Sequence, residues 1–227
     1  METAAFPQLY VHEMWTVFHD EDLPVIEIRC IWPKGVDPSR GIQSRCFDQA
    51  QFESKQAYRA AVESYVAHMN QQGFNLYATL NPLKAGMGQY SAAKDEDVVC
   101  RRRLLIDIDR DTGKEHPATE SEIQAAKALG EKIANHLTNL GWPEPIQIMS
   151  GNGHHLIYPL DELPTSKEVT SAIKDLLQGL KSAFSNNGLS VDTTVSNPSR
   201  VTKLPGTLAR RGTEITNNPY RVARIYA

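Results

Sequence analysis

Apolar and polar positions alternate through VIEIRCIW, residues 25–32, and a period of two predicts a strand. PKGVDPSRG follows and reads as a loop. Tyr58, Val62, Tyr65, Val66 and Met69 then recur at helical spacing, which predicts a helix stopped at Gly73. FNLYATL, residues 74–80, reads as a strand running into Asn81-Pro82. A polar loop leads to CRRRLLIDIDRD, residues 100–111, where Leu104, Leu105, Ile106 and Ile108 predict a strand buried on both faces. TESE, residues 119–122, is a capping-box pattern. It opens a helix with Ile123, Ala126, Ile133, Leu137 and Leu140 on one face, ended by Gly141 and Pro143. IQIMS and HHLIYPL are strand-like runs joined by Gly151-Asn152-Gly153, a hairpin signal. A further helix carries Val169, Ile173, Leu176, Leu177, Leu180 and Phe184 and stops at Asn187-Gly188. The closing YRVARIYA patterns as a strand cut off without a tail, so the chain is expected to be a fragment of something longer.

Strands interleaved with about three helices predict an α+β (α/β-like) domain, a predominantly antiparallel sheet flanked by helices. A length of 227 residues suits one large domain or two small ones. No signal peptide, spanning apolar run or lipidation motif is visible, so no membrane partner is expected. Cys30, Cys46 and Cys100 form no C-x-x-C pair, which argues against a zinc site or disulfide scaffold and fits a reducing cytoplasm. A net charge of −3 excludes a generic polyanion binder. Two local basic patches remain: Arg101, Arg102 and Arg103, and the segment with Arg200, Lys203, Arg210 and Arg211. The first sits at the start of its strand, suited to a nucleic-acid backbone or to a solvated strand start.

Three segments carry candidate chemistry. Asp107 and Asp109 are two apart on a strand, so their side chains point the same way. Two adjacent acids at the end of a buried strand need compensation, and a divalent cation such as Mg²⁺ or Mn²⁺ supplies it; acids simply facing water are the bland alternative. In SGNGHHL, residues 150–156, Gly151 and Gly153 lack Cβ atoms, so the backbone can approach a phosphate and offer N–H donors, with the Ser150 hydroxyl beside them. The bland alternative is a tight turn with incidental histidines. His154 and His155 face opposite ways, and alternation alone does not choose between them. In VDTTVSNPSRVTKLPGTLARRG, residues 191–212, Asp192 offers a third carboxylate, and Arg200 and Lys203 offer cations for a triphosphate. Together these are the parts for metal-assisted nucleotidyl transfer.

The order LLIDIDRD, SGNGHHL, VDTTVSNPSRVTKLPGT resembles the archaeo-eukaryotic primase superfamily, most of all its primase-polymerase branch in phages, plasmids and other mobile elements. LYATLNP, residues 76–82, is similar to the strand and Asn-Pro that precede the D-x-D strand there, so the resemblance covers residues 74–212. It implies that Asp107, Asp109 and Asp192 are catalytic metal ligands. It implies that Ser150 and His155 bind nucleotide within S-G-x-G-x-H, with His154 at the variable position, and that Arg200 and Lys203 serve phosphate. It further implies an RRM-like antiparallel catalytic sheet over residues 74–227, packed against a smaller N-terminal α/β part over residues 1–73. Activity would be that of a DNA primase or DNA polymerase using dNTPs or NTPs on a single-stranded or primed DNA template. The setting would be the cytoplasm or nucleoid of a bacterial host, with room for a helicase domain after residue 227.

Two other readings compete. A non-catalytic single-strand or origin-binding module would need aromatic side chains for base stacking, and these are sparse. A replication-initiation nickase would need paired histidines on one face, which HHL does not provide, and would leave the D-x-D acids unused.

Overall fold

The computed structural model describes residues 9–18, 24–33, 40–185 and 188–226. A short helix α1 (Met14–Val17) leads to strands β1 (Val25–Ile31) and β2 (Ile42–Asp48). Helix α2 (Lys55–Gln71) follows, then β3 (Asn75–Thr79) and β4 (Arg101–Arg110). Helix α3 (Glu120–Asn139), the hairpin β5 (Ile146–Met149) and β6 (His154–Leu163), and helix α4 (Lys167–Phe184) come next. The chain closes with β7 (Leu189–Val191), β8 (Val201–Lys203), β9 (Leu208–Ala209), β10 (Arg221–Val222) and β11 (Arg224–Ile225). The mixed α+β class expected from periodicity is what forms, and every pairing among these strands is antiparallel.

Local signals account for the helices. Ser54 caps α2 by accepting from the Ala57 N–H, and Ser166 caps α4 through the Val169 N–H. TESE forms the expected capping box, with Thr119 and Glu122 each bonding the other's backbone. Strand β2 has no counterpart in the sequence reading. Its burial runs from exposed to half-buried over IQSR, so neither alternation nor an apolar run marks it. The expected stop at Asn187 lies outside the described residues, as does part of the loop after β1.

Two sheets result, in the orders β2-β1-β3-β8 and β11-β5-β6-β4-β7, with β9 and β10 paired separately. Sheet pairing crosses the boundary expected near residue 73: β3 and β8 complete the sheet that β1 and β2 begin. One apolar core runs through both parts, from Val11 and Phe18 through Val62 and Leu76 to Ile106, Leu156 and Leu204. Asn70 ties the parts further. Its wholly buried amide donates to the Phe74 and Leu208 carbonyls and accepts from the Leu208 N–H.

Register decides which side chains meet. Asp107 pairs with His155 and Ile108 with His154, so each pair shares a face. The Ile108–His154 face meets α3. A Cβ on Gly130 of that helix would stand 2.2 Å from the His154 ring. The opposite face carries the acids. Glycine in a helix costs about 1 kcal/mol against alanine, so Gly130 is kept for space. Gly130→Ala should lower stability by about 1–3 kcal/mol through overpacking. At Gly179 in α4 a Cβ meets nothing within 4 Å, and Gly179→Ala should raise stability by about 1 kcal/mol. Urea denaturation midpoints of the two variants check the contrast; equal shifts would remove it.

Candidate active site

Strand β4 carries both acids to the face away from α3, and the site assembles around them. Ile106 and Ile108 are fully buried, while Asp107 and Asp109 keep about a quarter of their side chains exposed. His155 Nε2 stands 3.3 Å from Asp107 Oδ1. Its Nδ1 lies 3.1 Å from the Thr202 hydroxyl on β8, so two strands fix the ring. Burial alone would push the Asp107 carboxyl up. The charge and hydrogen bond of His155, with Arg211 and Arg200 nearby, outweigh it and hold the carboxyl below the usual range. Tyr77 stands close enough to feel both acids; burial, then the charge of Asp107, pushes its phenol up to about 12. It therefore lines the site as a neutral hydroxyl.

Asp192 follows β7, and its N–H donates to the Asp107 carbonyl at 2.8 Å, which puts the third acid beside the first in the backbone. Its carboxylate accepts from the Thr194 N–H. Arg200 turns back on its own loop, donating to Asn197 Oδ1 at 3.0 Å and to the Thr194 carbonyl at 2.6 Å. Asp95 braces that loop by accepting from Asn197, and from the Ser199 N–H and hydroxyl.

Asp109 is already paired. Arg211 Nη1 donates to both of its oxygens, at 2.9 and 2.7 Å, and Lys114 Nζ stands 3.6 Å away. Sequence reading placed Arg211 in a basic patch without linking it to the acids. The contact spans 102 residues, and no spacing rule tells Arg211 from Arg210, whose guanidinium reaches the Phe74 carbonyl instead. Thr202 and Tyr77 went unread for the same reason.

Several expected residues sit differently from the reading of their segments. The Gly151 and Gly153 N–H groups, expected to face phosphate, are engaged within the turn, donating to Met149 Sδ and Ser150 Oγ. Their lack of a Cβ serves packing. A Cβ on Gly151 would meet Ala209 at 2.2 Å, and one on Gly153 would meet the Ile108 carbonyl at 2.3 Å and Asp109 Oδ1 at 3.4 Å. Gly153 thus seats the hairpin against the acid-bearing strand, and Gly151 seats it against β9. Lys203, expected at a triphosphate, is buried, with Nζ held by the Thr207 hydroxyl and the Leu208 carbonyl. Burial and the charge of Arg210 push its ammonium well below the usual lysine range. Arg101 and Arg103 are buried, so neither a template surface nor a solvated strand start describes them. Arg101 donates to the Ser196 carbonyl and to Thr170, while half-buried Arg102 pairs with Glu162. Asn81 of the Asn-Pro pair clamps this end of β4. It accepts from the Arg102 and Arg103 N–H groups and donates to the Pro198 carbonyl.

His154 is a core residue. Its Nε2 lies 3.0 Å from Gln147 Oε1 and its ring stacks on Tyr226. Burial, then the charges of His155 and Lys127, pushes its imidazole down to about 4, so it is neutral at pH 7.

Among the described residues, no three His, Cys, Asp or Glu side chains form a ready metal cage. The donor chemistry nonetheless fits a hard divalent cation. Two carboxylates share one strand face, a third acid is tied to the same strand, and the Asp109 carboxylate already draws a guanidinium and an ammonium. The three cysteines are buried and unbridged, and burial pushes Cys30 and Cys46 up to about 11.

Two antiparallel sheets with this helix arrangement form a fold that is shared with solved primase and polymerase domains. The chain is similar to primase RepB′, with a TM-score of 0.51 and 10% identity over 96% of this chain and 56% of that one. It is also similar to the polymerase domain of Mycobacterium tuberculosis ligase D, solved in complex with DNA. That match has a TM-score of 0.51 and 17% identity over 93% of this chain and 78% of that one. The chain thus spans just over half the length of the RepB′ chain. No family model matches it, and no curated protein matches it in sequence. No helix among the described residues is long and apolar enough to cross a membrane.

Proposed function

We propose that this chain is a template-directed nucleotidyltransferase, a DNA primase or DNA polymerase acting in the replication of a phage or other mobile element. The observation that carries this reading is the Asp107–His155 pair on one sheet face, with Asp109 beside it and Asp192 bonded to the same strand. Asp107, Asp109 and Asp192 would hold Mg²⁺ or Mn²⁺, which when bound supplies Lewis-acid polarisation of phosphoryl and hydroxyl oxygens. His155, its ring held by Thr202, would donate to a phosphate oxygen of the incoming nucleotide from Nε2, the nitrogen that now faces Asp107. The Ser150 hydroxyl accepts within its turn and keeps its proton free to donate. Arg200, close enough to act on the charge of Asp107, would grip the triphosphate. Lys203, as placed, supports the turn behind β8 rather than phosphate. The likeness to a polymerase domain solved with DNA supports a DNA template as partner.

Incubation of the chain with a primed DNA template, labelled dNTPs or NTPs, and Mg²⁺ or Mn²⁺ tests the reading. Template-dependent extension is expected, and an unprimed template shows whether synthesis starts de novo. No incorporation with either nucleotide or metal would overturn it, leaving a DNA-binding module. Arg200→Ala should raise the nucleotide KM about tenfold and leave template affinity nearly unchanged. Separate titrations of nucleotide and template check this, and a collapse of template affinity at constant KM would assign the loop to the template.

A further inference from the structure

Asp109 carries its own cation. The Arg211 guanidinium spans both carboxylate oxygens, and Lys114 stands behind it. The backbone under Arg211 is held firmly. Gly212 has φ +62°, and a Cβ there would stand 2.0 Å from the Glu115 carbonyl oxygen. The Thr213 N–H donates to that carbonyl at 2.7 Å, and the Tyr220 hydroxyl donates to the Gly212 carbonyl. The side chain, by contrast, is 31% exposed. An arginine anchored at its backbone and open to solvent at its tip can leave its partner and stay over the same site.

Resting on the reading above, we propose that Arg211 is the resident counter-cation of the metal site, exchanged on metal binding and then taken up by the nucleotide triphosphate. A divalent ion and a guanidinium on one carboxylate repel each other, and the ion claims the oxygens that Arg211 now bonds. Displaced, the guanidinium needs a new anion. Of the anions the reaction brings, the triphosphate is the one that the metal ion itself would contact, and its oxygens suit the planar fork; template phosphates lie along the strand rather than on the ion. Without the ion, Arg211 keeps two adjacent acids compensated. With the ion, it reports that the site is loaded and favours nucleotide entry only then.

Mn²⁺ binding to the full chain, followed by electron paramagnetic resonance without nucleotide or template, tests the first half. Arg211→Gln should bind Mn²⁺ about tenfold more tightly than the parent, because it removes the competing cation. At saturating Mn²⁺, the same variant should bind a non-hydrolysable dATP analogue about tenfold more weakly. Arg211→Lys, which keeps the charge without the fork, should fall between on both measures and guards against a folding defect. Unchanged or weaker Mn²⁺ binding by Arg211→Gln overturns the proposal, as does unchanged analogue affinity. Asp109→Asn separates the layers. It should lose Mn²⁺, and if it binds Mn²⁺ like the parent, the metal assignment itself has failed together with the exchange built on it.

Discussion

Replacing both Asp107 and Asp109 by alanine should abolish nucleotide incorporation while leaving a folded chain. The two carboxylates are the only side-chain anions that β4 sends to the His155 face, and the fold presents them at the strand end rather than in the core. If they hold the divalent ion, their loss removes several kcal/mol of charge stabilisation from the transition state, at least about a thousandfold in rate. The cost to folding should be small. Both side chains are about a quarter exposed, and the Asp109–Arg211 pair is partly solvated, so its loss should change stability by about 1 kcal/mol or less. Primer extension by the double variant, set against its urea denaturation midpoint, checks both halves. Undiminished extension would sink the metal assignment; a collapsed midpoint would mean the acids serve folding.

The two adjacent histidines should fail in different ways. His155→Ala should cut kcat/KM per folded molecule about ten- to a hundredfold, equivalent to about 1–3 kcal/mol, beyond the stability it loses as a buried ring. It removes a ring oriented by Thr202 and facing Asp107. His154→Ala should leave activity per folded molecule close to the parent and lower stability by about 2–4 kcal/mol. It empties a wholly buried space between Gly130 and Tyr226. Steady-state kinetics at a temperature where calorimetry shows both variants folded distinguish the cases. Equal losses of kcat/KM would mean that the hairpin register is wrong.

How much of this could be read from the chain follows from the range of each interaction. The helices were legible because caps and periodicity are local: Thr119 and Glu122 meet within one turn. The shared face of Asp107 and Asp109, and the opposition of His154 and His155, follow from strand alternation and hold in the register. Strand β2 was not legible, because it is a half-exposed edge without an apolar pattern. Lys203 looked like a phosphate ligand because it follows Asp192 within a basic segment, and only tertiary packing buries it. The glycine amides looked free because sequence says nothing about Met149 and Ser150 closing on them. Arg211 joins Asp109 across 102 residues, beyond any local rule.

The pairing of β8 with β3 has a consequence for how the chain is made. Strand β3 leaves the ribosome early, with β1 on one side and nothing on the other, because its second neighbour lies near the far end of the sequence. The Asn70 amide waits likewise for Leu208, 138 residues later. Throughout synthesis of α3, the hairpin and α4, the nascent chain therefore carries an unpaired strand edge, a template for association with other chains. Contacts of such separation fold slowly, and His155 acquires its Thr202 partner only when the same late strand docks. A chain halted between α4 and β8 would expose that edge permanently and be prone to aggregate.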